Sequence, residues 1–342
     1  MVVSQTDIAI IGGGAQGLML AYYAKKGYPQ KSVVLLESGL IGQGITAFSA
    51  HLHTPYGEGD KNLLTRISLD LYRDLLIEYP DFPLEEKEFI GVCKKANVDK
   101  IVSSLVVKNT SINSLRYPFS NLSDEYVLLS GMKCMVTKRT FASYLMEIIS
   151  SMGVKLYEGV TIDSVKKVGK RFQLRDSRSE IGLNAGVVFN CSGAGILKLL
   201  EGRYRCKTKK IVALHVDRPA TSLDPVYYFF EEDAFLLPQH GYNRYLFCYR
   251  VEIWDVDPDM DIHITNDDIR AAKEILQKYS DFSEQVLGGQ VYFDVYNVPS
   301  SSPIIDKLDD LFFTVGGTGG SGVRLAPALA LKALNQISND NF

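Results

Sequence analysis

The sequence predicts an α/β fold with a discontinuous Rossmann-like nucleotide-binding domain and a β-rich second domain built on a mixed sheet. Three observations carry this prediction: a glycine-rich turn between an apolar run and a helical segment near the start, a strand-rich middle, and a similar strand and glycine turn near the end. The first domain is expected to comprise residues 1–80, 135–200 and 305–342, and the second domain residues 81–134 and 201–304.

Composition supports a globular chain and argues against several classes of partner. Of 342 residues, 46% are apolar and 23% are charged, as is usual for globular proteins. The formal net charge of -3 is too small for a broad surface that binds nucleic acid or anionic lipid. No basic residue precedes the first apolar run, so we expect no secretory signal, no membrane span and a cytoplasmic protein.

The five cysteines predict packing thiols rather than a disulfide framework or a metal site. Their number is odd, and none forms a Cys-x-x-Cys pair. Most have apolar neighbours, where a reduced thiol packs as a small hydrophobic group. We therefore expect no bound metal.

The first element is an apolar run at residues 7–11, which suits a buried parallel strand and ends in a glycine-rich turn. Gly12, Gly14 and Gly17 match the G-x-G-x-x-G pattern of dinucleotide-binding turns. In that pattern the first glycine permits the tight turn, the second leaves room for a pyrophosphate and the third lets the helix approach the strand. The exposed N–H groups at the helix N-terminus then receive the phosphate charge.

A second apolar strand at residues 33–36 ends in Glu37, which follows the last glycine by 20 residues. This spacing is typical of a carboxylate that accepts a hydrogen bond from a ribose hydroxyl. A strand, a glycine turn, a helix and an acid in this order predict a dinucleotide site more specifically than the glycines alone.

The middle of the chain alternates helices and strands and then becomes strand-rich. Periodicity predicts helices at residues 61–79, around 141–149 and at 267–279, the last of them capped by Thr265. Apolar or alternating runs predict strands at residues 153–157, within 160–176, and at 186–190, 211–216, 226–230, 234–237, 245–251 and 291–298.

A late strand at residues 311–315 runs into a second glycine turn. Gly317, Gly319 and Gly322 formally repeat the dinucleotide pattern, but only 20 residues follow, with no further strand and no acid. This turn cannot open its own nucleotide-binding half. We therefore expect a strand, turn and helix that complete the first domain and line the same cofactor.

Four stretches, at residues 12–37, 42–50, 190–194 and 317–327, match in order the D-amino-acid-oxidase-like family of FAD-dependent oxidoreductases, which the chain resembles over nearly its whole length. The last stretch, G-x-x-x-x-G-x-x-L-A-P, is the most specific to this family, which includes glycine oxidase, sarcosine oxidase and amino-acid dehydrogenases. The resemblance implies FAD as the cofactor. It is expected to be noncovalent, because Phe293 and no cysteine stands nearest the flavin attachment position of sarcosine oxidase.

The resemblance also assigns residues to the FAD. Glu37 would hold the adenosine ribose, and Thr46 and Ala47 would lie along the flavin. Val160 would offer its backbone to the adenine, and Gly193 would approach the phosphates. The N-terminus of the last helix would meet the pyrimidine edge of the flavin. The full predicted set is Gly12, Gly14, Ala15, Gln16, Gly17, Glu37, Ser38, Gln43, Gly44, Thr46, Ala47, Ser49, Val160, Cys191, Ser192, Gly193, Gly317, Gly319, Gly320, Ser321, Gly322 and Val323.

The implied reaction oxidises the C–N bond of a small-molecule amine or amino acid to an imine, with hydride transfer to flavin N5. The electron acceptor, O2 or another, stays open. Many relatives bind the substrate carboxylate through an arginine that precedes the proline of a late strand, where this chain has Val298. Either Arg250 or Arg324 replaces it, or the substrate is an amine or a masked acid that needs no such anchor. Two alternatives remain: an FAD-dependent 2-hydroxy-acid oxidoreductase, and a flavin-bearing subunit of a larger complex.

Further candidates for the chemistry are histidines and tyrosines. His51 and His53 lie in the loop expected beside the flavin and are predicted proton acceptors or substrate contacts, with packed histidines as the alternative. Four tyrosines are expected on the substrate side of the pocket, with ordinary sheet aromatics as the alternative: Tyr227, Tyr228, Tyr249 and Tyr296.

Overall fold

The computed structural model describes residues 3–107, 110–113, 119–176, 182–199, 203–258, 260 and 262–337. The predicted domains also include residues 1–2, 108–109, 114–118, 177–181, 200–202, 259, 261 and 338–342, which lie outside the described residues. The helices of the described chain are α1 (Ala15–Gly27), α2 (Ile45–Phe48), α3 (Asp60–Glu78), α4 (Val98–Ser104), α5 (Phe141–Ser151), α6 (Ile196–Leu199), α7 (Asn266–Gln277) and α8 (Gly322–Leu334).

The strands fall into two mixed sheets. Those of the first sheet are β1 (Val3–Ile11), β2 (Val33–Leu36), β7 (Lys155–Tyr157), β8 (Ser164–Val168), β9 (Arg171–Arg175), β10 (Gly182–Asn190), β16 (Ile304–Asp309) and β17 (Phe312–Gly316). Those of the second sheet are β3 (Leu52–His53), β4 (Leu84–Lys94), β5 (Ser111–Asn113), β6 (Tyr126–Thr137), β11 (Cys206–Val216), β12 (Val226–Phe229), β13 (Ala234–Gln239), β14 (Arg244–Trp254) and β15 (Val286–Asn297). This architecture confirms the predicted α/β fold class.

The first sheet has the order β16-β17-β10-β1-β2-β7, and its strands from β17 to β7 are parallel. The short strand β2 is buried along its whole length, because a parallel strand covered on both faces needs apolar side chains on both. One face packs against α1, α3, α5 and α8, and the other is covered by the β8–β9 hairpin. The carboxyl ends of the five parallel strands therefore open on one edge, where α/β folds bind ligands.

The second sheet has the order β15-β11-β14-β13-β12-β4-β6-β3, with β5 beside β6. Only the β12–β4 pair is parallel among its described pairings. Side chains alternate between two faces, as in any strand. Phe247 and Tyr249 pack on the face that α7 covers, whereas Leu246 and Cys248 lie on the opposite face, toward the first sheet. The predicted cap of α7 is present, since Thr265 and Asp268 form a reciprocal capping box.

The strands separate along the chain much as the predicted domains do, with two differences at the boundaries. The strand β3, placed by the sequence in the first domain, pairs with β6 at the edge of the second sheet. The strand β6 itself runs across the expected boundary at residues 134–135. The two domains as independent folding units stay a prediction.

Candidate active site

A cavity of about 820 Å³ lies between the two sheets. The ends of β1, β2, β10 and β17 close one side of it, and the second sheet closes the other. Its nucleotide end contains Gly12, Gly14 and Glu37, and its substrate end contains Tyr228 and Arg250. The cavity thus joins the predicted dinucleotide turn to the predicted substrate-binding sheet.

The first glycine turn requires its glycines for two different reasons. Gly12 has a φ of +103°, and a Cβ added there would lie 2.4 Å from the carbonyl oxygen of Cys191. A Cβ at Gly17 would lie 1.9 Å from the carbonyl oxygen of Gly12, so only glycine lets α1 start this close to the strand. At Gly14 the nearest atom to an added Cβ is the Thr46 hydroxyl, at 3.1 Å, on the side of the cavity.

Helix α1 begins at the cavity, and its first turn is tied to two other loops. The N–H of Ala15 donates to the Thr46 hydroxyl at 3.0 Å. The Gln16 amide donates to the Gly322 carbonyl at 2.7 Å, which holds the two glycine turns together, and its Oε1 is buried without a hydrogen-bond partner. The exposed N–H groups of the helix N-terminus fit the phosphates of a dinucleotide. The unpartnered Gln16 Oε1 is an acceptor and fits a hydroxyl or N–H donor of the same cofactor.

Glu37 stands at the end of β2, where the sequence spacing places a ribose acceptor. Its Oε2 accepts the N–H of Gly13 at 2.7 Å, and its Oε1 accepts the N–H of Gly39 at 2.8 Å. The Ser38 hydroxyl donates to the same Oε1 at 3.0 Å. The N–H of Val160 donates to the Glu37 carbonyl at 2.8 Å, which brings the predicted adenine contact to the same end. These bonds fix the carboxylate on the cavity wall.

The second glycine turn leads into α8 at the other side of the cavity. Gly317, Gly319 and Gly320 have φ values of +61°, +52° and +71°. A Cβ at Gly319 would lie 2.5 Å from the ring of Tyr296, so a larger residue could not pass beside this ring. The turn aims the N-terminus of α8 at the cavity, and its positive end favours anionic groups there.

Most of the predicted FAD-binding residues line the cavity. Those on its wall are Gly12, Gly14, Ala15, Gln16, Glu37, Ser38, Gly44, Thr46, Ser49, Val160, Cys191, Ser192, Gly193, Gly317, Gly320, Ser321, Gly322 and Val323. Gly17, Gln43, Ala47 and Gly319 do not line it. Gly17 and Gly319 serve close packing, and the N–H groups of Gln43 and Ala47 bond within their own loop.

The two predicted histidines occupy different environments. His51 lines the cavity, its Nδ1 lies 2.8 Å from the Thr137 hydroxyl, and burial lowers the pKa of its imidazole to about 4. His53 is fully buried against the ring of Tyr72, and burial also lowers its pKa. Both imidazoles are therefore neutral at pH 7. His53 does not reach the cavity, which corrects the expectation that it contacts substrate.

The four predicted pocket tyrosines lie on different faces of the second sheet, because side chains alternate along a strand. The Tyr249 hydroxyl donates to the carbonyl of Asp268 in α7 at 2.6 Å, so its ring is directed away from the cavity and only its backbone borders it. Tyr227 lies on the same outer face. Tyr228 faces the cavity, and Tyr296 packs beside Gly319. The expected pocket role of Tyr227 and Tyr249 is corrected by this orientation.

Charged side chains converge at the substrate end. Arg250 forms an ion pair with Asp233 at 2.5 Å, and the Tyr228 hydroxyl donates to the same carboxylate. Asp294 lines the cavity near the Gly320 backbone, and burial raises the pKa of its carboxyl to about 6, against the opposing charges of Arg250 and Lys61. Sequence reasoning missed Asp233, Asp294 and Lys61. A lone carboxylate within the apolar run of β15 was the one available signal.

Arg324 reaches the cavity from the first turn of α8. Its guanidinium donates to the Thr54 hydroxyl, to the Tyr56 carbonyl at 2.9 Å and to the Ser321 hydroxyl at 2.7 Å. All three acceptors are neutral, and no carboxylate in the described part of the chain pairs with it. Burial lowers the pKa of this guanidinium, and its Nε has no partner. Arg324 is therefore a half-buried cation that lacks a counterion among the described residues.

The position that holds an arginine in many relatives lies outside the cavity. The N–H of Val298 donates to the Arg205 carbonyl at 2.7 Å in the loop after β15, and Val298 does not line the cavity. The cations that face the cavity at its substrate end come instead from α3, β14 and α8.

Residues 7–334 match the sequence model of the FAD dependent oxidoreductase (DAO) family, which is almost the entire chain. The chain belongs to this family. It is therefore an oxidoreductase that uses FAD, and the resemblance seen in its sequence is confirmed.

Solved structures of low sequence identity share the fold over nearly the whole chain. An L-α-glycerophosphate oxidase from Mycoplasma pneumoniae with FAD bound is 14% identical with a TM-score of 0.83, over 98% of this chain and 95% of that one. A glycine oxidase from Geobacillus kaustophilus is 16% identical with a TM-score of 0.79, over 98% and 95%. An L-proline dehydrogenase from P. horikoshii is 17% identical with a TM-score of 0.78, over 99% and 95%.

No curated protein sequence matches the chain significantly. Among the described residues, every helix is too short or too polar to cross a membrane.

Proposed function

We propose that this protein oxidises the C–N bond of an amino acid to an imine. The observation that carries the proposal is the pair of unmatched charges at the substrate end of the cavity, the Arg324 guanidinium and the Asp294 carboxylate. An amino acid carries the complementary carboxylate and ammonium groups. A 2-hydroxy acid would also match Arg324, but its neutral hydroxyl would bring no positive charge to Asp294.

The nucleotide end fits FAD. Glu37 would hold the ribose, the N-terminus of α1 at Ala15 and Gln16 would receive the pyrophosphate, and the N-terminus of α8 would face the flavin. Bound there, FAD supplies the two-electron acceptor that takes a hydride from the substrate carbon.

Arg324 supplies the proposed anchor for the substrate carboxylate. A guanidinium presents N–H groups in a planar fork that matches a carboxylate, and such charge-assisted hydrogen bonds are the strong ones. Because Thr54, Tyr56 and Ser321 hold the side chain in place, little ordering is needed when the substrate binds. The anion would also relieve the cost of a buried, uncompensated cation.

Asp294 supplies the proposed site for the substrate nitrogen. An ammonium must lose a proton before the carbon can release a hydride, and Asp294 Oδ2 is positioned to accept it. Its raised pKa, about 6, lies closer to neutral pH than that of an ordinary aspartate, which favours proton transfer at pH 7. The first proton passes from nitrogen to the carboxylate. Loss of the hydride from the substrate carbon then leaves an iminium, which becomes the imine when it releases its second nitrogen proton to water.

The remaining cavity wall positions the substrate and excludes water. Tyr228 on β12, Phe235 on β13 and Tyr292 on β15 line the cavity from the second sheet. Their rings offer apolar area for a substrate side chain, at about 25 cal/mol per Å² buried.

Anaerobic mixing of the isolated protein with amino acids and 2-hydroxy acids tests the proposal. We expect flavin bleaching with amino acids, and ammonia release after one turnover from hydrolysis of the imine. Bleaching by 2-hydroxy acids without ammonia would contradict it. No bleaching by either class would favour a flavin-bearing subunit whose active site lies on a partner.

A further inference from the structure

Lys61 is the one cavity-facing lysine at the substrate end within the described residues, and it has no partner there. It lies in the first turn of α3, and its ammonium makes no hydrogen bond or ion pair with another described residue. The other lysines that are mostly buried do have carboxylate partners: Lys87 with Glu85 at 3.5 Å, Lys209 with Glu252 at 2.6 Å and Lys210 with Asp268 at 2.8 Å. Lys61 therefore differs from these three lysines.

The surroundings of Lys61 make its charge costly. Burial lowers the pKa of its ammonium to about 8, and the positive charges of Arg324 and Arg250 act in the same direction. Asp233 and Asp294 oppose this effect, but Asp233 is already paired with Arg250. A lysine held among two guanidiniums without a counterion is disfavoured in the empty cavity and favoured once an anion enters.

The substrate end thus has more cations than a simple amino acid can match. Arg250 is neutralised by Asp233, and under the proposed function Arg324 takes the carboxylate and Asp294 faces the ammonium. Lys61 then has no complement on a substrate such as glycine or alanine. A ligand that matches every unpaired charge carries two negative groups and one positive group.

We propose that Lys61 binds a second anionic group, so that the substrate is an amino acid whose side chain ends in an acid. This assignment rests on the proposed function for the roles of Arg324 and Asp294. The class includes side-chain carboxylates and phosphates, since a lysine ammonium binds either as a point charge.

The test compares acidic amino acids with their neutral amides in the FAD-loaded protein. The pairs are aspartate with asparagine and glutamate with glutamine, each in both enantiomers. The members of a pair differ in the charge of the side chain and only slightly in its shape. O-phosphoserine against serine tests the phosphate source. In the unaltered protein we expect the acidic member of at least one pair to reduce the flavin about tenfold more efficiently or better.

Variants of Lys61 assign the preference to this side chain. Lys61→Met should remove it by slowing the acidic substrate about tenfold more than it slows the amide, whereas Lys61→Arg should retain it. Lys273→Met, at an exposed lysine of α7, is the matched control and should change neither rate. A preference that survives Lys61→Met, or an equal loss for acid and amide, would overturn the assignment.

Binding measurements keep the test independent of turnover. Succinate and succinamate differ by one charge and are not oxidised as amines, and their dissociation constants follow from the shift of the flavin absorption spectrum. We expect succinate to bind about tenfold more tightly, and Lys61→Met to abolish the difference. Equal binding of the two ligands to the unaltered protein would overturn the proposal.

The proposed function and this assignment can fail separately. If neutral amino acids release ammonia and acidic ones do not, the proposed C–N oxidation is supported and the assignment of Lys61 is overturned. Reduction by malate but not by its monoamide or by any amino acid would overturn the C–N proposal and support a second anion subsite at Lys61.

Discussion

The nucleotide end of the cavity is built mainly from backbone groups, whereas its substrate end is built from charged and aromatic side chains. At the nucleotide end, Gly12 and Gly14 expose the backbone, and the Glu37 carboxylate is held by N–H groups of its neighbours. At the substrate end, Lys61 of α3 and Asp294 of β15 come from elements far apart in sequence. The first end needs little more than a turn and a helix to bind phosphate. The substrate end depends on how the two sheets are placed against each other. Its side chains can therefore be replaced to suit another substrate while the nucleotide end still binds the same cofactor.

The largest effect is expected at the nucleotide end, from Gly14→Val. A branched side chain would enter the space beside the Thr46 hydroxyl where a pyrophosphate must approach the backbone, so we expect loss of FAD. The ratio of flavin to protein absorbance measures it, with circular dichroism to show that the fold persists. Gly27→Val is the matched control, since an added Cβ at Gly27 meets nothing within 4 Å. Full flavin content in Gly14→Val would place the cofactor elsewhere.

A smaller effect is expected at the substrate end from Asp294→Asn, with flavin content unchanged. The rate of anaerobic flavin reduction should fall about a hundredfold or more, because the proton acceptor is lost. In the unaltered protein this rate should rise with pH through about 6, since Asp294 is protonated below its pKa and cannot accept a proton. The charges that act on Asp294 are those of Arg250 and Lys61. The pKa of Arg250 is raised and that of Lys61 is about 8, so neither group accounts for an inflection near pH 6.

The pH profile decides whether Asp294 has a chemical role or only a structural one. The inflection near pH 6 should vanish in Asp294→Asn and persist in Asp267→Asn, which changes an exposed carboxylate of α7. The same inflection in both variants would assign the titration to another group.

The sequence predicted the nucleotide end better than the substrate end, and the reason is locality. The turn at Gly12 and the acid at Glu37 belong to one short segment, so spacing alone brings them together. The fold brings Lys61, Asp233 and Asp294 to the same cavity, although they lie far apart or in different elements of the sequence. Their spacing in the sequence therefore does not predict that they are close together. The wrong prediction for Tyr249 has a different cause, the alternation of side chains between the two faces of a strand. Tyr228 and Tyr249 both lie in aromatic strands, and the sequence does not show which face α7 covers.

The strand β4 shows a similar limit in the fold. Its first half, residues 84–89, carries four charged side chains and has no apolar alternation that would predict a strand. In the structure, Lys87 is buried, donates to the Ser222 carbonyl and lies beside Glu85. A charged segment can thus form a strand when residues distant in sequence supply hydrogen bonds to its buried side chains.

A moderate effect is expected from Arg324→Met. Losing a charge-assisted pair with the substrate carboxylate costs roughly 1.5–3 kcal/mol, or about tenfold to a hundredfold in the dissociation constant. Rapid-mixing reduction at varied substrate concentration separates this constant from the limiting rate. Arg270→Met, at an exposed arginine of α7, is the control. Unchanged substrate binding in Arg324→Met would move the anchor to another cation.

The smallest change is expected on acid treatment, which tests how the cofactor is held. With Phe293 nearest the attachment position, FAD should be noncovalent, and acid precipitation should leave the yellow colour in the supernatant. Colour retained in the pellet would show a covalent link, and FMN in the supernatant would contradict the role of Glu37 at the ribose.

The central claim, that the substrate end recognises an ammonium and a carboxylate together, is tested most directly by one set of three ligands. An amino acid, its decarboxylated amine and its 2-hydroxy-acid analogue are mixed anaerobically with the FAD-loaded protein, and flavin reduction is recorded for each. The account predicts that the amino acid reduces the flavin at least about tenfold more efficiently than either analogue, because each analogue lacks one of the two charges. Equal or faster reduction by the 2-hydroxy acid would contradict the pairing of Asp294 with a substrate nitrogen.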